Sequence, residues 1–400
     1  MQSQKMTSLE RRGVISLSSI MALRMIGLFM VLPAFSIYAL SLPGATGTTI
    51  GFSMGIYGLT QAIFQIPFGA LSDRFGRKPL IAIGLMIFII GSFIAGVADD
   101  IWLLTLGRAL QGAGAVGSTI LAMIADLTRE EQRAKAMAIA GISIGFSFSL
   151  AMLAGPFFSQ WLPTHCLFYL AALFGVIALL VLYAKTPTPE KTSWHREAEP
   201  ERAAVLKLLC MPELAKLNVG IFVLHAIFTA SFIVIPITLL HEVGLPTNRQ
   251  WILYLPSLLV AFCFALFLIG LSERKQQVKS YFIGGIALLI FAEILLWLSG
   301  SNILIAAVGL ALFFAAFSLL EAFLPSLISR TAPPASKGSA LGIYSSAQFL
   351  GIFVGGAFGG WIFGHYHFWG VYLFCVILLI IWFALALFMQ PPRYHVTRQR

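Results

Sequence analysis

Five ionisable side chains lie within long apolar runs of this 400-residue sequence: Arg24, Arg108, His225, Glu293 and Glu321. A charged side chain at the centre of a membrane-spanning helix costs about 2.5–3.5 kcal/mol on a translocon scale, so such residues usually serve a function. Fixed cations suit the binding of charged or polar solutes. A histidine and carboxyl groups suit the uptake and release of protons. The pattern therefore indicates solute binding or proton movement within a membrane.

Other kinds of chemistry find little support. The four cysteines are scattered, without a C-x-x-C pair or the spacing of a zinc site. No G-x-x-x-x-G-K-[ST] phosphate loop is present, which argues against a pump driven directly by ATP. We therefore expect a protein that is not an enzyme and has no metal or other cofactor, with a proton gradient as its energy source.

A second group of charged residues lies between two apolar runs, in the segment 69–79, which reads Gly-Ala-Leu-Ser-Asp-Arg-Phe-Gly-Arg-Lys-Pro. Glycines permit close helix approach and a tight turn. Asp73 ends a predicted helix, where the helix dipole disfavours an anion, so it should pair with nearby cations. An ordinary basic loop is the alternative, but it would not need two glycines, an acid and a proline in this order. The candidate residues are Gly69, Asp73, Arg74, Gly76, Arg77 and Lys78.

The composition excludes a water-soluble protein. Hydrophobic residues make up 59% of the chain and charged residues 10%, with a mean hydropathy of +0.90. Soluble domains carry about 25% charged residues. The net charge of +10 is then better explained by membrane topology than by nucleic-acid binding.

Twelve apolar runs are long enough to cross a bilayer as helices, since about 20 residues suffice. A polar segment, 185–216, divides them into six and six. It predicts an N-terminal six-helix bundle (1–184), a central loop (185–216) and a C-terminal six-helix bundle (217–400). The runs are 14–40, 49–71, 79–97, 101–124, 135–161, 165–184, 217–240, 250–271, 279–299, 302–328, 338–364 and 368–389.

The basic residues predict the orientation. With both termini and the central loop in the cytoplasm, 23 of the 26 Lys and Arg residues lie in cytoplasmic segments. Only Arg249 lies on the opposite side, and Arg24 and Arg108 lie within spans. This asymmetry follows the positive-inside rule.

The two halves resemble each other. Ala-Leu-Ser-Asp-Arg at 70–74 matches Gly-Leu-Ser-Glu-Arg at 270–274, and Ala151 and Gly155 match Gly355 and Gly359. Two matches at similar offsets favour duplication, which is typical of secondary transporters whose substrate sites lie at the repeat interface.

The 69–79 segment resembles the G-x-L-a-D-R-x-G-R-K signature of the major facilitator superfamily. This resemblance implies two six-helix bundles that rock about a central cavity. It also implies that Asp73 and Arg77 form a charge cluster with Asp126, at the end of span 4, which clamps the bundles in one state. A membrane protein that served only as a static scaffold would not need such a switch.

Spans 4 and 5 carry two further motifs of this kind. Arg108 and Gln111 resemble the R-x-x-Q-G motif of proton-coupled members, although Arg108 could instead snorkel to the membrane surface. Span 5 resembles the antiporter motif only in part, because Ser159 and Gln160 replace its final glycines. The alternative for span 5 is a generic packing face of small residues. Its candidate residues are Gly141, Gly145, Gly155 and Pro156.

Segments 23–33, 320–329 and 344–351 are similar to the YajR-type drug:proton antiporters of this superfamily. Some of these carry an added soluble C-terminal domain, which we do not expect here. Spans 1, 4, 7 and 10 line the cavity in the superfamily. The implied proton-coupling or cavity residues on these spans are Arg24, Arg108, Gln111, His225 and Glu321, and the resemblance adds Tyr344 and Gln348 of span 11.

Alternatives remain for three of the acidic and titratable residues. His225 could be a hydrogen-bonded core histidine. Glu321 could form a permanent ion pair with Arg24 or Arg108 rather than carry a proton. Glu293 lies on span 9, a peripheral helix, so we expect a structural or lipid-boundary role.

The sequence thus predicts a monomeric, multi-pass transporter of the inner membrane that exports hydrophobic or amphipathic drugs in exchange for protons. Its partners would be a small-molecule substrate, protons and the lipid bilayer, without nucleic acid. A charge-poor, aromatic-rich cavity suits apolar or lipophilic cationic compounds. The alternatives are a proton-coupled carrier of a sugar or organic anion, which the two arginines would favour, and a transport-inactive membrane sensor.

Overall fold

The computed structural model describes residues 5–188, 207–333 and 336–390. These residues form helices and short connections without a strand, which confirms the predicted all-α membrane fold. The greater part of the predicted central loop, 189–206, lies outside the described residues. The helices are α1 (Ser8–Phe29), α2 (Leu32–Leu40), α3 (Gly47–Phe75), α4 (Arg77–Gly96), α5 (Ile101–Ala113), α6 (Gly117–Leu127), α7 (Glu130–Phe158), α8 (Cys166–Ala184), α9 (Pro212–His241), α10 (Trp251–Arg274), α11 (Val278–Leu298), α12 (Ile303–Thr331) and α13 (Lys337–Leu387).

Ten helical stretches in the described chain are long and apolar enough to cross a membrane. The longest, α13, has 51 residues and turns at His367, where φ is 55°. A straight helix of that length would measure about 77 Å, far more than the hydrocarbon thickness of about 30 Å. It therefore supplies the two predicted spans 338–364 and 368–389. The 29-residue α3 is less apolar but matches the predicted span 49–71.

Two predicted spans are each broken into two helices. The first breaks at Met30 and Val31, between α1 and α2. The break occurs here because Pro33, near the start of α2, lacks the backbone N–H that a continuous helix needs. The fourth breaks at residues 114–116, between α5 and α6. A Cβ on Gly114 would overlap the carbonyl oxygen of Gly84 on α4, so this break lies where two backbones approach closely.

The described chain forms two compact units. The first comprises residues up to 188 together with 245–251, and the second comprises 207–244 and the residues from 252 onward. The same pairs of spans pack together in each unit. In the first, α4 contacts α5 and α8, and α1 contacts α7. In the second, α11 contacts α12 and α13, and α9 contacts α13. This correspondence agrees with duplication.

A pair of lysines shows the correspondence at atomic detail. Lys78 Nζ, at the start of α4, donates to the carbonyl oxygen of Thr186 at 3.0 Å, just beyond the end of α8. Lys279 Nζ, at the start of α11, donates to the carbonyl oxygen of Leu387 at 3.0 Å, at the end of α13. Donor and acceptor both recur 201 residues later. Each lysine satisfies a carbonyl that the end of a helix leaves without a partner.

Candidate functional site

The 69–79 segment forms the abrupt junction between α3 and α4. Gly76 is the single residue between the two helices. Its φ is 93°, a backbone conformation that residues with a Cβ rarely adopt. The turn lets Arg77 begin α4 while Asp73 still belongs to the last turn of α3. Gly69 lies further back on α3, where a Cβ would make only an ordinary contact with Ser118.

Arg77 connects the ends of three helices. Its Nε donates to Asp126 Oδ2 at 3.0 Å, at the end of α6. Its Nη1 donates to Ser72 Oγ at 2.6 Å and pairs with Asp73. The structure thus brings together Asp73, Arg77 and Asp126, the three residues of the implied charge cluster. Two carboxylates on one guanidinium form a network that the removal of any member would disrupt.

The other two basic residues of the segment point elsewhere. Arg74 is exposed. Lys78 caps the end of α8 and lies 5.6 Å from the ring of Tyr183. Lys78 therefore has a structural contact that the motif alone did not predict.

A second ion pair, which sequence reasoning missed, holds the turn between α6 and α7. Glu10 is 3% exposed and accepts from the backbone N–H of Arg129 at 2.9 Å and from its Nε at 2.9 Å. Glu10 also completes a capping box with Thr7 at the start of α1. The Thr-x-x-Glu spacing is readable in the sequence, but its long-range partner, 119 residues away, is not. The pair fixes the chain three residues after Asp126.

The first unit contains a buried network around two arginines. Arg24 Nη2 donates to Gln61 Oε1 of α3 at 2.7 Å, and Arg108 Nη1 donates to Gln111 Oε1 at 2.7 Å. Gln111 Nε2 in turn donates to Ser92 Oγ of α4 at 2.9 Å. The two arginines are 1% and 3% exposed. Arg108 therefore points into the unit and does not snorkel to the surface.

Aromatic rings surround the same arginines. The guanidinium carbon of Arg108 lies 5.3 Å from the ring centre of Tyr57 and 5.6 Å from that of Phe35. That of Arg24 lies 5.7 Å from the ring centre of Phe88. Such cation–π contacts partly replace the water that each cation loses. Neutral residues such as Tyr57, Gln61 and Ser92 were missed because polar residues without charge barely alter the hydropathy of a span.

The second unit contains a different network, which includes an acid. Gln348 Nε2 of α13 lies 2.8 Å from His225 Nε2 of α9 and donates to Glu321 Oε1 of α12 at 3.4 Å. His225 Nε2 lies 3.8 Å from Glu321 Oε2. Tyr344, buried one turn before Gln348, lies close to the same carboxyl group. The structure thus groups four residues that the family resemblance had implied separately.

Glu321 and Gln348 are the partly exposed members of this group, although the Oε2 atom of Glu321 is buried without a hydrogen-bond partner among the described residues. The side chain of Glu321 is 36% exposed, whereas that of His225 is 7% exposed. Within the second unit, Glu321 lies close to the ionisable side chain of His225. The Thr229 hydroxyl donates to the backbone oxygen of His225, so it does not extend the network.

Glu293 forms a separate site in the second unit. It is fully buried, and Ser231 Oγ of α9 donates to its Oε1 at 2.6 Å. Ser231 Oγ also lies 3.6 Å from Cys375 Sγ of α13. Of the two expected roles, the structural one fits this position and the lipid-boundary one does not, because the carboxyl group faces the neighbouring helices of its unit.

The predicted glycine face of span 5 is divided. A Cβ on Gly155 would overlap the carbonyl oxygen of Met30, at the break between α1 and α2. A Cβ on Gly141 or Gly145 would meet no atom within 4 Å. The packing alternative thus applies at Gly155, whose neighbour Pro156 lies within α7. In the second unit Gly359, the match of Gly155, packs closely against Ala230, and a Cβ on Gly355, the match of Ala151, would overlap the carbonyl oxygen of Ala226.

Comparisons of the sequence with known protein families and with individual proteins point to the same family. Residues 17–356 and 217–399 match the model described as "Major Facilitator Superfamily". The chain is 43% identical over 394 residues to the "Inner membrane transport protein YajR" of Escherichia coli K12, covering 98% of this chain and 87% of that protein. It is 33% identical over 156 residues to the class B tetracycline resistance protein of Escherichia coli, which covers 38% of this chain and 36% of that protein.

Solved structures share the fold. A crystal structure of a bacterial homologue of the human lysosomal transporter Spinster superposes with a TM-score of 0.77 at 14% sequence identity, over 96% of this chain and 97% of that one. At this identity the likeness concerns the fold alone.

Proposed function

We propose that this chain, which belongs to the major facilitator superfamily and is therefore a membrane transporter and not an enzyme, exports hydrophobic or amphipathic compounds in exchange for protons. The observation that carries the proposal is the partly exposed Glu321 beside His225 and Gln348 in the second unit. The name of one relative, a tetracycline resistance protein, supports export of drug-like compounds. Alternating access, the general mechanism of such carriers, would couple the two fluxes.

Glu321 is the group that we assign to the proton. A carboxyl group gains a proton when water is excluded and loses it when water or a cation returns. Protonation of Glu321 would remove the charge opposite His225 and leave Gln348 free to change partners. In this way one proton alters contacts among α9, α12 and α13, the three helices that carry the group.

The Asp73–Arg77–Asp126 cluster is the proposed conformational switch. It links α3, α4 and α6 through one guanidinium, and its carboxylates are 58% and 30% exposed. Ion pairs that water reaches are weak enough to break and reform within a transport cycle. The Glu10–Arg129 pair keeps Asp126 within reach of Arg77 when the cluster reforms.

The positive-inside rule supports an orientation with both termini and the central loop in the cytoplasm. In that orientation the cluster lies at the cytoplasmic ends of its helices. The YajR relative supports an inner-membrane location. We propose that the transporter acts as a monomer, with a small-molecule substrate and protons as its partners.

Transport by purified protein in liposomes tests the exporter function. An acidic lumen is imposed, and accumulation is followed for naphthalene compounds that carry a fixed positive, zero or negative charge. We expect accumulation of at least one compound when the lumen is acidic, and its loss after nigericin collapses the gradient. Accumulation only with an alkaline lumen would indicate symport and contradict the proposal. Protein-free liposomes and the Asp126→Asn variant are the controls.

A further inference from the structure

The first unit holds two buried cations without a carboxylate partner. Arg24 and Arg108 are 1% and 3% exposed. Among the described residues of this unit, no Asp or Glu oxygen lies within 4.0 Å of either guanidinium group. Buried ions are normally paired, because the loss of hydration is otherwise uncompensated. The two positive charges therefore lack a carboxylate counter-ion within their own unit.

Their neutral contacts leave donors unused. Each arginine donates to a glutamine oxygen, Gln61 or Gln111. The Nε atom of each is buried without a hydrogen-bond partner. A guanidinium group has five N–H donors in a planar fork, a geometry that suits the oxygens of an oxyanion. The unused donors are thus of the kind that would bind a carboxylate, sulfonate or phosphate group.

Both arginines converge on one residue of α3. The ring of Tyr57 lies 5.3 Å from the guanidinium carbon of Arg108, and its hydroxyl interacts with Arg24. Phe35 and Phe88 flank the same pair. The two cations therefore share a location that also offers aromatic surface for an apolar group.

The helices that carry these arginines are both interrupted. Arg24 lies six residues before Met30, where the first span breaks, and Arg108 lies six residues before Gly114, where the fourth span breaks. Discontinuous spans accompany substrate sites in many transporters, because their free helix ends and unwound backbone can bind the substrate or a coupling ion. Each of the two cations thus lies six residues before a break of the kind that marks a substrate site.

We infer that Arg24 and Arg108 form the substrate-charge site of the first unit, which binds the oxyanion group of an amphipathic anion while the aromatic rings contact its apolar part. This inference rests on the proposed transport function and narrows it, since it favours anionic amphiphiles over the lipophilic cations that composition alone suggested. The two guanidinium groups supply the counter-charge, and Tyr57, Gln61 and Gln111 hold them in place.

Equilibrium binding to the detergent-solubilised full-length protein tests the inference without any gradient. The probes share a naphthalene ring and differ in fixed charge: naphthalene-2-sulfonate, naphthalene-2-sulfonamide and (2-naphthylmethyl)trimethylammonium. A bound ligand raises the thermal midpoint as a function of its concentration. We expect naphthalene-2-sulfonate to bind at least tenfold more tightly than the other two. Equal binding of all three, preference for the ammonium compound, or no shift with the sulfonate would overturn the inference.

Variants locate the preference. Arg24→Gln and Arg108→Gln should each weaken sulfonate binding at least tenfold, whereas Arg11→Gln, which removes an exposed charge from the same unit, should leave it unchanged. Unchanged sulfonate binding in both folded glutamine variants would overturn the assignment. If these variants do not fold, the relative affinities of the wild-type protein for the three probes still test the inference. Gradient-driven transport of the ammonium compound without sulfonate preference would overturn this inference but keep the exporter function. A sulfonate preference without gradient-driven transport would keep this inference but overturn the exporter function.

Discussion

The two units share a scaffold but differ in charge at matching positions. Lys78 and Lys279 cap equivalent helix ends. The two lysines are 201 residues apart in the chain, and so are the two carbonyl groups that accept from them. At the same offset, Arg24 of the first unit corresponds to His225 of the second. A fixed cation in one half thus stands where the other half has a titratable ring. Duplication thus preserved the backbone contacts, while the side chains within the spans acquired separate chemistry.

The helix ends differ in the same way. The first unit has the Asp73–Arg77–Asp126 cluster. In the second, the positions 200 residues after Arg77 and 201 residues after Asp126 hold Gln277 and Leu327, which cannot form an ion pair. We therefore assign substrate charge and the conformational switch to the first unit, and the proton to the second.

The largest effect should come from the Asp73–Arg77–Asp126 cluster of the first unit. Arg77→Ala removes the cation that both Asp73 and Asp126 contact, and we expect gradient-driven transport to fall at least tenfold with little change in membrane-inserted protein. Asp73→Asn and Asp126→Asn should behave alike, and a double variant should be no worse than the singles, since coupled residues are not additive. Gln277→Ala is the matched control. Wild-type transport by a well-folded Asp73→Asn or Arg77→Ala protein would remove the cluster from the cycle.

Arg108→Lys tests whether the first unit uses a fork of donors or only a charge. Lysine keeps the charge but loses the planar fork of N–H donors. In Arg108 one of these donors binds Gln111, and the Nε donor has no partner. We expect about a tenfold loss of transport. Arg11→Lys, at an exposed position of the same unit, should have no effect. Equal activity of Arg108→Lys across the pH range would reduce Arg108 to a structural role.

Glycine substitutions test the close helix contacts within each unit. Gly155→Ala and Gly355→Ala would each push a Cβ into a backbone carbonyl, of Met30 and Ala226 respectively. Overpacking of this kind costs about 1–3 kcal/mol, so we expect a clear fall in the thermal midpoint of both. Gly141→Ala, where a Cβ meets no atom within 4 Å, is the control and should not lower it. An unchanged thermal midpoint in either Gly155→Ala or Gly355→Ala would contradict the close backbone contact at that position.

The smallest effect should come from the two capping lysines. Lys78→Ala and Lys279→Ala each remove a cation from a helix C-terminus, at a cost of about 0.3–1 kcal/mol. The loss should be greater for Lys78, because its ammonium group also lies 5.6 Å from the Tyr183 ring. Thermal unfolding of the two variants in detergent measures the difference. A larger loss for Lys279→Ala would contradict the assigned contacts.

Much of the fold was predictable because it follows from hydrophobicity alone. Apolar runs of about 20 residues must be helices in lipid. The breaks at Met30 and Gly114 were not predictable, because a break of two or three residues within an apolar run does not change its average hydropathy. Their causes are a proline and a close backbone contact, and only the proline is visible in the sequence.

The site was predictable where charge or a motif marked it. Arg24, Arg108 and Glu321 stand out because a membrane rarely admits ionisable groups. Their partners depend on helices far apart in the chain, so Gln61, Tyr57 and the Glu10–Arg129 pair were missed. The same limit applies to Gly141 and Gly155, which look alike in sequence but differ in what lies opposite them.

The division of roles between the units depends most on Glu321. Its matched control is Glu293, the other acid within a span of the second unit, which is fully buried against Ser231. Glutamine at position 321 mimics the protonated acid but cannot release a proton.

The decisive measurement compares gradient-driven accumulation with exchange of labelled for unlabelled substrate, in liposomes that contain wild-type protein, Glu321→Gln or Glu293→Gln. We predict that Glu321→Gln loses gradient-driven accumulation but keeps exchange within about twofold of wild type, while Glu293→Gln keeps both. Undiminished gradient-driven transport by a stable Glu321→Gln protein, or loss of coupling in Glu293→Gln instead, would contradict the assignment of the proton to Glu321.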